Sequence, residues 1–213
     1  MHSEAVGLLE MMVVMTALYM QGQSYIEPSI KAVSLQSVFL SALFVALYLE
    51  SGDVGLLFLS AITLAMRGAV VPYMMLRQVR PSGRTLRETE SSQRIASLIV
   101  VGAMVVMAGY ALFTLILLPA VSAPSASVAF VLLLLSFLLI ITRHNTLVQM
   151  SGYLEEENAV LLFGALIAPG LPLLMEVAVA LDIFGVVLVG VIISAEREAF
   201  RTLEPEDLEQ LSG

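Results

Sequence analysis

The chain has 213 residues, of which 59% are hydrophobic and only 13% are charged, and its mean hydropathy is +0.94. Ordinary soluble domains carry about 25% charged residues, so this composition excludes that class. The absence of cysteine excludes disulfides, iron–sulfur ligation, thiolate zinc sites and cysteine nucleophiles. With two histidines and a net charge of −8, the chain is also unsuited to a histidine-rich metal cluster or to binding nucleic acid.

Long apolar runs predict an all-α fold, a polytopic membrane bundle of about seven helices, since a span needs roughly 20 apolar residues. The first run lacks a basic start and a small-residue cleavage site, so we expect a retained helix and not a signal peptide. Glycine, serine and proline residues mark several of the helix ends. The predicted spans cover residues 5–21, 29–49, 54–76, 95–117, 128–142, 147–168 and 172–194.

The basic residues predict the orientation, because short cytoplasmic loops accumulate lysine and arginine. With seven spans, nine of the ten basic residues fall on one side, five of them in or beside the loop 77–94. This places the N-terminus outside and the C-terminus in the cytoplasm. We expect one transmembrane domain over residues 1–213, with three helices in 1–76, the cytoplasmic loop 77–94, and four helices and a short acidic tail in 95–213.

Several ionisable residues lie within the predicted spans, where a charge costs about 2.5–3.5 kcal/mol on insertion scales. At 1.5 Å per residue, Glu157, Asp182 and Arg67 lie about 16, 18 and 14 Å from the cytoplasmic helix ends, near the middle of the bilayer. The set comprises Glu10, Arg67, Glu155, Glu156, Glu157, Glu176 and Asp182.

Two interpretations of these charges remain open. Arg67 and one carboxylate could form a structural ion pair that holds helices together. Alternatively, the carboxylates outnumber the one buried arginine, and burial in a low dielectric favours the neutral acid, so they could relay protons. Neighbours in the triplet 155–157 point about 100° apart, so at most two of them are expected to face the interior.

The remaining candidates are less specific. Pro72 lacks an N–H, frees the carbonyl of Gly68, and should kink the third helix where a polar partner can bind. His144 lies at the cytoplasmic interface, either as a surface histidine or as a proton-entry group. Three amides are read as interhelical hydrogen-bonding groups: Gln36, Asn145 and Asn158.

The stretch from Arg143 to Tyr153, RHNTLVQMSGY, followed by Glu157-Asn158-Ala159, resembles component E of the hydrogenase-4 type, a membrane subunit of energy-converting [NiFe] hydrogenases. Pro172-x-Leu174-x-Glu176 with Asp182 is similar to that family's seventh helix. The specific match covers about a fifth of the chain. The C-terminal part of that family is similar to the K-type subunit of complex I and to the C subunit of Mrp antiporters.

The resemblance implies embedded carboxylates on adjacent helices, with Glu157–Asn158 as the family's Glu-Asn pair and Asp182 as the final-helix acid. Where the K-type subunit has its first-helix glutamate, this chain has Leu154, and alanines stand at 159 and 178 where glycine is frequent. A proton pathway would then involve Glu157, Asp182, Arg67, Glu176, Glu156 and His144. No cofactor or metal is expected in this subunit.

The sequence therefore predicts a multi-pass subunit, in a prokaryotic plasma (inner) membrane, of a complex-I-like hydrogenase or formate hydrogenlyase that translocates protons or sodium ions. It would be no enzyme on its own. Its partners would be antiporter-like and quinone-module-like membrane subunits, the lipid bilayer and, indirectly, the redox arm. A structural scaffold of the same complex and an Mrp-type antiporter subunit remain alternatives. A self-sufficient transporter is disfavoured, because the sequence contains no inverted repeat.

Overall fold

The structure, a computed structural model, describes residues 4–79, 92–117 and 125–167, together with Gly185 and Gly190. Those residues form helices and their connections, and none of them lies in a β-strand. The predicted all-α fold is thus confirmed. The helices are α1 (Glu4–Gln21), α2 (Ile26–Ser51), α3 (Val54–Ile62), π1 (Thr63–Val70), α4 (Val71–Val79), α5 (Ser92–Leu112), π2 (Phe113–Leu117), α6 (Ala126–Thr142) and α7 (Thr146–Ile167).

Four of the described helices are long and apolar enough to cross a membrane. They are Glu4–Gln21, Ile26–Ser51, Val54–Arg77 and Ile95–Ile116. Ala126–Thr142 is a shorter apolar helix, and Thr146–Ile167 has 22 residues but carries three consecutive glutamates. The first six predicted spans therefore each correspond to a helix. The predicted seventh, with Glu176 and Asp182, lies outside the described residues except for Gly185 and Gly190, both helical.

Helix ends in the first half follow the local sequence signals. Gly52 ends α2 in the left-handed conformation, with φ of 73°, and donates its N–H to the carbonyl of Tyr48. Asp53 then caps α3 by accepting the N–H of Gly55 at 2.9 Å.

Helix α4 continues through Val79, so the predicted loop 77–94 is helical at both of its described ends. Arg77 lies in that last turn, where a cation favours the helix C-terminus.

The outer surface of the bundle is apolar. Helix α5 exposes Met104 and Met107 by 63% and 74% of their surface, and π2 exposes Leu115 by 78%. Helix α1 exposes Leu8 and Met11 by 59% and 62%. Soluble monomers do not present continuous apolar faces of this kind. The chain therefore has the surface of a membrane protein, with lipid as the solvent for these side chains.

Among the described residues, the buried apolar side chains form two clusters, one above the other along the helices. One contains Val13, Leu40 and Leu59, and the other contains Val33, Val71 and Leu154. Polar side chains separate the two clusters on α2, π1 and α7, about halfway along each helix. We call this set the central polar cluster, which consists of Gln36, Ser37, Arg67, Glu155, Glu157 and Asn158.

Candidate functional site

Arg67 lies at the centre of the central polar cluster and has no exposed surface. Its Nε is 3.4 Å from Oε2 of Glu157, and its Nη1 donates to Oδ1 of Asn158 at 3.4 Å. Both partners belong to α7, so the guanidinium joins the third predicted span to the sixth. Arg67 therefore contacts protein groups, and a buried guanidinium needs such partners to offset its lost hydration.

The π-helical segment π1 presents Arg67 to the cluster. The N–H of Val71 donates to the carbonyl of Met66, five residues back, as in a π-helix. Pro72 follows directly and leaves the carbonyl of Gly68 without its α-helical donor. The hydroxyl of Ser34 donates to that carbonyl at 2.5 Å. The proline therefore frees a carbonyl that a neighbouring helix satisfies, as the sequence predicts.

Two buried amides extend the cluster from α7 to α2 and α1. Asn158 donates through Nδ2 to Oε1 of Gln36 at 3.1 Å and to Oγ of Ser37 at 3.0 Å. Gln36 in turn donates through Nε2 to the carbonyl of Val13 at 3.4 Å. Interhelical hydrogen bonding, predicted for Gln36 and Asn158, is what the structure shows. These bonds fix the height of α7 relative to α2.

The three consecutive glutamates of α7 have three different environments. Glu155 is fully buried, Glu156 is partly exposed, and the side chain of Glu157 is 15% exposed. The 100° step between helix neighbours makes this separation unavoidable. Glu156, a candidate from the sequence, lies on another face of the helix from the described cluster. Glu155 belongs to the cluster, although sequence reasoning did not select it.

Glu157 also lies close to Gly185, one of the two described residues of the final predicted span. A Cβ placed on Gly185 would lie 3.3 Å from Oε1 of Glu157 and 3.7 Å from Oε2. The carboxyl of Glu157 is therefore close to both Arg67 and Gly185. The absence of a side chain at Gly185 gives the carboxylate its space.

A second polar group lies at the end of the bundle where α1 ends and α7 begins. Arg143, only 2% exposed, donates through Nη2 to the carbonyls of Met20 and Gln21 at 3.2 and 2.6 Å. It thus places a cation at the C-terminus of α1. Asn145 accepts the N–H of Leu147 through Oδ1 at 2.9 Å and caps α7.

His144 is exposed beside Arg143, more than two helical turns before Glu155. The structure does not bring it to the central polar cluster.

Glu10 lies on α1 with one carboxyl oxygen buried and without a hydrogen bond. The predicted site residues Asp182 and Glu176 lie outside the described residues. Among the described residues, no group of three histidine or acidic side chains could hold a metal ion.

Comparison with known proteins gives one relative and no family. The uncharacterized protein Rv0085 of Mycobacterium tuberculosis is 24% identical over 185 residues, which cover 85% of this chain and 84% of that protein. No protein-family profile matches the chain. No solved structure matches it either. The likeness to Rv0085 extends over most of both chains.

Proposed function

We propose that the chain is a seven-span membrane subunit of a complex-I-like energy-converting hydrogenase or formate hydrogenlyase, and that its buried carboxylates take part in proton or sodium translocation. The observation that carries the proposal is the ion pair of Arg67 and Glu157, held by Asn158 between two apolar clusters. Charged groups at this depth are costly, and in membrane proteins they mark ion pathways.

The resemblance in the stretch from Arg143 to Asn158 supports the same assignment. Its Glu-Asn pair coincides with the two residues of α7 that bind Arg67. In the proposed mechanism, Glu157 exchanges a proton laterally with Asp182 of the final span. Gly185, three residues after Asp182 in the sequence, contacts the Glu157 carboxyl, which supports the approach of that span to Glu157.

Arg67 would set the charge balance of this exchange. While Glu157 is ionised, the guanidinium neutralises it, and when Glu157 takes up a proton the positive charge favours an anion elsewhere in the site. Conformational change in a neighbouring redox arm would bias the exchange. The subunit itself would supply carboxylates and hold no redox centre.

The assignment to a complex is tested by the proteins that co-purify with the tagged chain from its own cells in mild detergent. We expect antiporter-like membrane subunits together with [NiFe] hydrogenase subunits. Co-purification with Mrp antiporter subunits alone would replace this proposal with the antiporter alternative. A chain that purifies without any redox subunit would refute the assignment to a hydrogenase.

The proposed orientation has its own test, because the natural chain contains no cysteine. Single cysteines replace Arg84, in the predicted cytoplasmic loop, and Ala123, in the predicted outer loop. An impermeant thiol reagent added to intact cells should label position 123 and spare position 84. Labelling at 84 but not at 123 would contradict the orientation.

A further inference from the structure

Glu155 is the one fully buried carboxyl group among the described acidic residues. Neither of its oxygens has a hydrogen-bond partner. Gln36 lies alongside it, yet outside the geometry of a normal hydrogen bond. An ionised carboxylate in this position would have no hydrogen-bond donors in place of the water it loses. The described surroundings of Glu155 therefore suit the neutral acid.

The helices that pack along α7 bring little charge to Glu155. Helix α6 contains no ionisable residue between Ala126 and Thr142. The ionisable residues of α2 lie near its two ends, and Lys31 there is paired with Glu27 at 2.6 Å on the surface. On α7 itself, Glu156 and Glu157 point to other faces. The other groups to consider are Arg67 on π1, Glu10 on α1, and Glu176 and Asp182 of the predicted final span.

Arg67 is linked to Glu155 indirectly, through the side-chain amides of Asn158 and Gln36. In each hydrogen bond of this chain, the donor lies on the side nearer to Arg67. The guanidinium donates to the oxygen of Asn158, and the nitrogen of Asn158 donates to the oxygen of Gln36. The amide group of Gln36, whose nitrogen donates to the carbonyl of Val13, lies beside Glu155. Hydrogen bonds aligned in one direction polarise each other. The positive charge of Arg67 is thereby extended toward the Glu155 carboxyl through Gln36.

We propose that Glu155 is a second proton-binding carboxyl of the site, coupled to the Arg67–Glu157 ion pair through Asn158 and Gln36. The coupling has a definite sign. While Glu157 neutralises Arg67, Glu155 keeps its proton, and when the negative charge of Glu157 is removed, the amide chain favours ionised Glu155. This inference deepens the proposed function and rests on it for its physiological role, while proton binding by Glu155 is measurable without translocation.

Infrared spectroscopy of the full chain in liposomes measures the protonated carboxyl directly. A neutral carboxylic acid has a C=O stretching band apart from the carboxylate bands, and its O–H exchanges in D2O. We expect Glu155→Gln to lose one such band and the matched control Glu156→Gln to keep it. The same loss is expected in Glu155→Leu, which should fold because the acid has no hydrogen bond to forfeit.

The coupling is tested with the same measurement in two further variants. At a fixed pH near neutrality, Glu157→Gln should reduce the Glu155 band by half or more. Adding Gln36→Leu should restore it, because the amide that extends the charge of Arg67 is gone. Identical spectra for Glu155→Gln and Glu156→Gln would overturn proton binding by Glu155, and an unchanged band in Glu157→Gln would overturn the coupling. Neither result depends on whether the complex pumps ions.

Discussion

The replacement of Arg67 by methionine tests whether the ion pair is a buried structural contact. Methionine keeps much of the volume of the arginine stem but removes the charge, which leaves Glu157 without its guanidinium and the oxygen of Asn158 without its donor. Removal of one partner from a buried pair destabilises a protein by about 3–5 kcal/mol. The matched control is Arg77→Met, at the exposed end of the same transmembrane helix.

This loss of stability is measurable as a lower melting temperature. For a chain of this size, each kcal/mol lowers the midpoint by about 2–4 °C, so Arg67→Met should lower it by roughly 6–20 °C. Far-UV circular dichroism of the purified chain in detergent follows the transition. Arg77→Met should stay close to the natural protein, since an exposed charge contributes less than about 1 kcal/mol.

A double variant separates the lost pair from lost packing. In Arg67→Met with Glu157→Gln, no unpaired charge remains, so much of the stability should return, with a coupling energy of about 0.5–3 kcal/mol. Equal melting temperatures for Arg67→Met and Arg77→Met would refute the reasoning. The same conclusion would follow if Arg67→Met stabilised the chain, as expected of an arginine that faces lipid.

Three further predictions follow from single contacts. Ser34→Ala should lower the free energy of unfolding by about 1–3 kcal/mol in the natural chain. It should cost less in a Pro72→Ala background, because the restored N–H can bond to the carbonyl that the serine hydroxyl satisfies, and equal costs in both backgrounds would contradict this. Gly185→Ala should melt below Gly190→Ala, because the new methyl group crowds the Glu157 carboxyl at position 185 and meets open space at position 190. The reverse order would be inconsistent with the described contact. Arg143→Met should destabilise by about 1.5–3 kcal/mol, because two carbonyls at the end of α1 lose a charged donor, and a thermal midpoint equal to that of the natural chain would exclude that role.

Much of the helix arrangement follows from the sequence alone. Apolar runs locate the first six helices to within about one turn, because lipid leaves the backbone no partner except its own hydrogen bonds. The partner of Arg67 is also accessible to simple reasoning, since depth counted along each helix places it near Glu157. Pro72 predicts a carbonyl in need of a donor, and Ser34 supplies that donor.

The sequence did not predict in the same way which of the three consecutive glutamates of α7 is buried in the central polar cluster. Their depths are nearly equal, and which face of α7 is buried depends on how α2 and α6 pack against it. One signal was available, because Ser151, Glu155, Asn158 and Leu162 recur at the spacing of a single helix face, and all four are buried. The π-helical segment adds a second obstacle, since it changes the direction of Arg67 relative to an ideal α-helix.

The central claim is that the carboxyl of Glu157 carries an ion and does more than hold helices together. The direct measurement is the number of ions translocated per electron by the purified complex in proteoliposomes, compared between Glu157→Gln and Glu156→Gln. We predict that both variants assemble and transfer electrons, that the ratio falls steeply in Glu157→Gln, and that it keeps its natural value in Glu156→Gln. An unchanged ratio in Glu157→Gln would contradict the account and leave Glu157 with a packing role.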